Sequence, residues 1–379
     1  MKGSLCETAL VLRKKATNAP ASRRVEPPNQ PVSLKALADY LGLSPATVSL
    51  VINRSPVADS IPQTTKDRIF RAGRKLNYRP NFLARSLRKQ RSFTIGVVVP
   101  EVSEGYAALV MSGIEDHLLQ EGYFYLVVSH RHKSDLIDEY PKLLLGRSVE
   151  GLIAVDTPCQ RSLAIPVVAV SGHHDVKGVT NIVLNHQRAA ALALEHLFQL
   201  GHRRIAFIKG QAFSSDTEVR WNAICEAARR LGLSVNPRLT AQLEGDLPSP
   251  ELGYGVTKKL AAREPFTALF AFNDISAIGA IRALREVGWR VPEDVSVVGF
   301  DDIQSAAFQN PGLTTVRQPL RKMGEIAAAT VLRRIASSTN ARYPKRITVE
   351  PELVVRESTC QAPVPAEIDR RTGQGGSHN

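Results

Sequence analysis

The chain has 379 residues, more than one hydrophobic core usually organises, so two or three domains are expected. Its 49 Lys/Arg against 36 Asp/Glu give a net charge of +13, and no run of about 18 apolar residues occurs; with a broken, charged N-terminus in place of an export signal, this predicts a cytoplasmic protein with no membrane partner. Cys6, Cys159, Cys225 and Cys360 lie far apart without a CxxC, which argues against a disulfide framework or a cysteine zinc site.

The charge is unevenly placed. Residues 1–91 hold 18 Lys/Arg and 5 Asp/Glu, the whole of the excess, whereas residues 92–379 hold 31 of each. A one-signed block beside a neutral body points to a polyanionic partner. Residues 1–30 are rich in Pro, Ser, Ala and Arg without periodicity, and disorder is expected there. From Val32 the pattern turns helical. Leu34, Leu37, Ala38 and Leu41 recur at helical spacing, with Ser33 as N-cap and Gly42 as stop.

The next stretch, LSPATVSLVIN, puts Ser44 at an N-cap and Pro45 at the first helical position. Val48, Val51 and Ile52 form its inward stripe, leaving Pro45, Ala46, Ser49 and Leu50 outward. A third helix over about Thr64–Asn77, striped by Ile69, Ala72, Gly73 and Leu76, closes a three-helix core within residues 31–78. Two short helices joined through a glycine-containing turn make a helix-turn-helix, and its second helix enters the DNA major groove by its N-terminal part. Small side chains there allow close approach. Ser44, Pro45, Ala46, Thr47, Ser49, Leu50 and Asn53 are therefore the expected contacts to double-stranded DNA.

Lys66 to Arg91 then holds ten basic residues and one acid. Pro80 stops the third helix, and NFLARSLR, in a hinge of residues 79–91, has the pattern of a short helix capped by Asn81 and striped by Phe82, Leu83, Ala84 and Leu87. Eight residues are too few to hold a helix alone in water, so folding is expected only with DNA and a partner chain.

From Phe93 apolar, β-branched runs (FTIGVVV, FYLVV, GLIAV, IPVVAV, RIAFI, TALFAF, VSVVGF) alternate with helical patterns at 106–121, 135–146, 187–200, 219–231, 252–263 and 275–287. Such alternation predicts an α/β body of parallel sheets covered by helices, with too many units for one sheet and hence two similar lobes. Residues 361–379 read as a disordered tail.

The order and spacing of VSLKALADYLGLSPATVSLVIN, LNYRPNFLARSLR, SFTIGVVVPEV, LGHRRIAFIKG, VPEDVSVVGFDD and NPGLTTVRQP resemble the LacI/GalR family of bacterial transcriptional repressors across residues 32–358. The resemblance implies a helix-turn-helix headpiece with a hinge helix, then a periplasmic-binding-protein-like effector domain over 92–360. Its first lobe would span about 92–188 and 315–343, and its second about 189–314 and 344–360. It also implies a homodimer or tetramer on a pseudo-palindromic operator, with Tyr78, Asn81, Ala84, Arg85, Leu87 and Arg88 added to the DNA contacts and Leu87 wedged into a central base step. Leu50 departs from the family, which commonly carries Arg there, and the segment NRSPVADSIPQTT is longer than the usual loop.

Ligands of parallel sheets bind beyond the carboxyl ends of strands. Asn273 and Asp274, Asp301 and Asp302, and Ser129 and His130 stand at such ends, with Asp274 read as a helix cap. Asn273 and Asp301 match family positions that hydrogen-bond an effector, and Arg220 one that reaches it. Tyr106 lies where the first lobe supplies a contact, and Ser171 where several relatives carry Asp. With Ser214, Asp216 and Phe272 these complete the expected effector site, and nearby Tyr106, Phe213, Trp221 and Phe272 suit the C–H face of a carbohydrate, with a purine as second choice. His130 and His132 lack further ligands, and His173–His174 lack helical spacing, so neither metal nor cofactor is expected. No GxSxG, Walker loop, HExxH or strand-following GxGxxG marks an enzyme. A secreted sugar-binding protein would have no use for the basic headpiece.

Overall fold

The computed structural model describes residues 32–79, 86, 90–102, 105–245, 249–337 and 343–363. The chain separates into two compact units, one ending at Lys89 and the other beginning at Gln90.

In the first unit, helix α1 (Leu34–Leu41) starts where the Ala36 amide donates to the Ser33 hydroxyl and stops at Gly42, whose φ of 65° is left-handed. Helix α2 (Pro45–Ile52) begins in the same way, the Thr47 amide donating to Ser44. Helix α3 spans Gln63–Lys75. Leu37, Ala38, Val48, Val51, Ile69 and Ala72 meet in a small core. The long segment between α2 and α3 is ordered as a 3-10 turn, Pro56–Ser60, which tucks Ala58 into that core. Arg68 of α3 donates to the Leu41 carbonyl and so ties the third helix to the end of the first.

Among its described residues the second unit holds two six-stranded sheets. The first is made of β1 (Thr94–Val99), β2 (Phe124–Ser129), β3 (Gly151–Val155), β4 (Val167–Val170), β5 (Val179–Leu184) and β11 (Arg346–Val349), in the order β11-β5-β4-β3-β1-β2 and parallel throughout. The second is made of β6 (Ile205–Lys209), β7 (Thr240–Gln242), β8 (Ala268–Phe270), β9 (Ser296–Asp301), β10 (Thr314–Arg317) and β12 (Glu352–Val354), in the order β12-β10-β9-β8-β6-β7. In this sheet β12 alone runs antiparallel to its neighbour. Buried on both faces, β1 and β9 carry near-continuous apolar runs.

Helices α4 (Tyr106–Gln120), α5 (Ser134–Gly146), α6 (His186–Gln199), α7 (Ser215–Arg230), α8 (Pro250–Ala261), α9 (Asp274–Glu286), α10 (Gln304–Ala307) and α11 (Leu320–Ala336) connect the strands. Helices α4 and α11 approach so closely that a Cβ on Gly113 would stand 1.9 Å from the Arg321 carbonyl oxygen. Only glycine fits. Helices α10 and α11 and strands β5, β7, β10, β11 and β12 were not among the expected elements.

Among the described residues the chain crosses between lobes three times, at Asn185, at Gln318–Pro319 and at Glu350–Pro351. The Asn185 side-chain nitrogen donates to both Glu350 carboxylate oxygens at 3.1 and 3.2 Å, joining the first crossing to the third. These crossings correct the expected lobe limits. Strand β10 extends the second sheet by pairing with β9, so 315–317 belong to the second lobe; β11 pairs with β5, so 346–349 belong to the first.

Candidate functional site

On the first unit, Pro45 and Ala46 are exposed at the start of α2, and Thr47 shares a 2.9 Å hydrogen bond with Ser44. The helix therefore offers a low, small-residue N-terminal end, where aligned peptide dipoles favour phosphate. Two residues expected to face fully outward on this helix do not. Ser49 is buried, its hydroxyl 3.2 Å from the Asn53 side-chain nitrogen, which also donates to the Ser49 carbonyl at 2.7 Å. Leu50 is half-buried against the core instead of fully outward. In a helix this short, one turn beyond the cap already faces the neighbouring helices. Tyr78 is half-buried on the same core. Asn81, Ala84, Arg85, Leu87 and Arg88 lie outside the described residues.

In the second unit, a cleft opens between the lobes. Tyr106, Ser214, Asp216, Arg220, Phe272, Asn273 and Asp301 all line it. Strand ends deliver Asn273 and Asp301, and the first turns of α4 and α7 deliver Tyr106 and Asp216. Asn273 is the N-cap of α9, its side chain accepting from the Ser276 amide at 2.9 Å. Asp274 is thus not the cap. It is fully buried and accepts from the Thr315 hydroxyl at 2.6 Å and the Ile303 amide at 2.9 Å, holding β10 and α10 in place.

Arg220 is committed to the protein. It donates to the Phe272 carbonyl at 2.5 Å and to Asp216 Oδ2 at 3.0 Å, with its guanidinium carbon 4.3 and 3.7 Å from the Phe272 and Phe300 ring centres. It therefore fixes one wall of the cleft. Asp302 is equally structural, paired with Arg317 and Arg356 at 2.7 Å each.

Three further expectations are corrected. His130 turns away from the cleft, within 3.0 Å of the Thr157 hydroxyl and accepting from the His132 amide, because residues 131 and 132 adopt positive φ and reverse the chain. Burial, with His132 nearby, pushes its imidazole down to about 4. His132 lines the cleft instead, 3.7 Å from the Phe213 ring. Ser171 is buried behind Tyr106 and spends its hydroxyl on that phenol at 2.6 Å. Trp221 packs edge-on against Phe207 in the core.

Sequence reasoning missed Asp156, at the end of β3, whose carboxylate lines the cleft opposite the second lobe. Desolvation, reinforced by Asp216, raises it to about 7; Asp301 is likewise raised to about 7 by burial, against the opposing pull of Arg220 and a 2.6 Å hydrogen bond from Gln318. Two histidines were also missed as partners of Asp216. His173 Nε2 lies 2.6 Å and His186 Nε2 3.3 Å from its Oδ1. Burial alone would raise Asp216, but His186, His173 and Arg220 outweigh it and hold the carboxyl well below the usual range.

A helix-turn-helix unit carried on the same chain as a two-lobed ligand cleft defines a ligand-responsive, DNA-binding regulator. Residues 33–81 match the profile of bacterial regulatory proteins of the lacI family, and residues 194–359 that of the periplasmic binding protein-like domain. The chain is 32% identical over 337 residues to the HTH-type transcriptional repressor PurR of Haemophilus influenzae, covering 86% of this chain and 98% of that protein. The chain belongs to the LacI family and is a DNA-binding transcriptional repressor with a small-molecule effector. It is similar in structure to the Lac repressor dimer bound to operator and the anti-inducer ONPF, with a TM-score of 0.76, 27% identity and coverage of 87% and 100% of the two chains. The transcriptional regulator CelR in its cellobiose complex superposes with a TM-score of 0.62 at 28% identity, covering 86% of this chain and 99% of that one. Among the described residues no helix is long and apolar enough to cross a membrane.

Proposed function

We propose that this repressor acts in the cytoplasm as a homodimer or tetramer on a pseudo-palindromic operator, and that a carbohydrate bound between its lobes sets its grip on DNA. The observation that carries the carbohydrate reading is the pair of cleft carboxylates, Asp156 from the first lobe and Asp301 from the second. Neither has a salt-bridge partner among the described residues, and both line the cleft beside Asn273 and the Phe272 ring. Acceptors on two sides and an apolar face between them suit a polyol, whose hydroxyls donate while its C–H face stacks. The cellobiose-bound relative supports the same choice. A purine is the second reading, on the His132–Phe213 pair, whose ring centres lie 3.7 Å apart with planes 31° from parallel, and on the similarity to the repressor named PurR.

A ligand that prefers one lobe arrangement shifts the equilibrium between arrangements, and DNA affinity shifts with it by the same coupling free energy. The cleft is read as a binding site without turnover. Selection of bound duplexes from a random pool, with and without a panel of sugars and purines, tests the whole reading. A two-fold-related consensus whose enrichment changes with one sugar is the expected result. No enrichment over random DNA, or product formed from the bound sugar, would overturn it.

A further inference from the structure

We propose that His173, His186 and Asp216 form a binding site for one divalent transition-metal ion, which ties the first lobe to the second. His173 lies on the segment after β4 of the first lobe, His186 opens α6 just past the first crossing, and Asp216 sits in the first turn of α7. Their ligand atoms all fall within 4.8 Å of one another. Two imidazole nitrogens converging on one carboxylate oxygen make a donor set that suits zinc, nickel, cobalt or copper(II), and prefers them to magnesium or calcium.

Two observations beyond this convergence point to a cation. The first is His186, only 4% exposed: among the described residues its Nδ1 has no partner, and its Nε2 meets only Asp216 Oδ1, at 3.3 Å and outside hydrogen-bonding geometry. A buried imidazole that makes no hydrogen bond is costly, and an ion on Nε2 would satisfy it. The second is charge. Asp156, Asp216 and Asp301 gather at the floor of the cleft, and Arg220 is the single guanidinium or ammonium paired with any of them among the described residues. Fully ionised, the four groups leave two negative charges uncompensated, which a divalent ion cancels.

The arrangement around Asp216 is compatible with metal binding. Arg220 holds Oδ2 at 3.0 Å, which leaves Oδ1 for the ion and orients the carboxylate as an outer-shell partner does. The ion would take the place of the 2.6 Å hydrogen bond between His173 Nε2 and Asp216 Oδ1. Since His173 and Asp216 belong to opposite lobes, occupancy would hold the lobes together. The site stands on its own residues and does not depend on the effector being a carbohydrate.

The test uses the full chain without an affinity tag, stripped with EDTA and titrated with Co(II) while the visible spectrum is recorded. One Co(II) per chain, with the intense ligand-field bands of a four- or five-coordinate site that zinc then erases, is expected. His173→Gln and His186→Gln should each weaken binding beyond the roughly 100-fold that loss of an outer-shell contact causes, while His174→Gln, at an exposed neighbour, should not. A wild-type protein giving only the weak spectrum of hydrated Co(II), or bands that persist in both variants, would overturn the proposal. The wild-type spectrum alone decides it where a variant does not fold.

Discussion

The Ser215 hydroxyl, on the second lobe, stands 2.7 Å from Asp156 Oδ1 and 2.5 Å from the Ser171 carbonyl oxygen, both on the first. It has one proton for two acceptors, and its own amide adds a bond to Asp156 Oδ1 at 3.2 Å. These contacts fasten the lobes beside the cleft. Ser215→Ala removes the hydroxyl and leaves the amide. A typical net hydrogen bond of about 1 kcal/mol corresponds to roughly fivefold weaker effector binding, read by calorimetry. Unchanged affinity would mean that closure does not use this bond.

Asp156 makes stability depend on pH. Its folded value, about 7, lies above that of an unfolded aspartate, so between roughly pH 4 and 7 the native state holds more protons than the unfolded one. The stability it contributes is present at low pH and is lost as pH rises through 7. Asp156→Asn keeps an acceptor for Ser215 and removes the titration. Melting curves of the metal-free, effector-free protein should therefore diverge from pH 5 to pH 8, with the variant gaining on the order of 2 kcal/mol at the upper end. His130, lowered to about 4, contributes with the opposite sign as pH falls below 6.5, but equally in both proteins. Parallel curves would show that Asp156 does not titrate in this range.

Leu37 is fully buried in a headpiece core of few side chains. Leu37→Ala should cost about 2–5 kcal/mol, a large share of what so small a unit has to lose. Calorimetry should show the headpiece transition lost or lowered while the second unit melts as before, and operator binding should vanish with effector binding intact. Retained operator affinity would contradict a DNA-binding headpiece built on this three-helix core.

Leu50 can offer a base edge only apolar contact, whereas arginine at that place can pair with guanine O6 and N7. Selected sites for Leu50→Arg should acquire a guanine in each half-site that wild-type sites lack. Identical consensus sequences would remove residue 50 from base recognition. Both proteins should lose affinity steeply with salt, because phosphate neutralisation dominates binding.

Local signals were the most legible part of the sequence. The Ser33, Gly42 and Ser44 caps depend on atoms three or four residues away, and all three stand where the spacing put them. Strand β5 was hidden because Thr180 and Asn181 interrupt its apolar run; Thr180 donates to the Pro344 carbonyl, far along the chain, and Asn181 to the His174 carbonyl in the preceding loop. Helix α11 has no side-chain cap and opens directly after a strand, so nothing local announces it. In the cleft, the strand-end rule located Asn273 and Asp301 and would have located Asp156 had it been applied to GLIAV. His173 and His186 could not be found that way. They come from segments 13 residues apart on either side of β5, and only the folded chain brings both to Asp216.

The three crossings at 185, 318–319 and 350–351 have a mechanical consequence. Bodies joined by three strips of one or two residues each open like the covers of a book: rotation about the line of the spine is soft, and sliding or twisting is stiff. Gln318, bonded to Asp301, lies in that spine itself. Work done by a guest in the cleft is therefore channelled into a single angular coordinate instead of being spread over many.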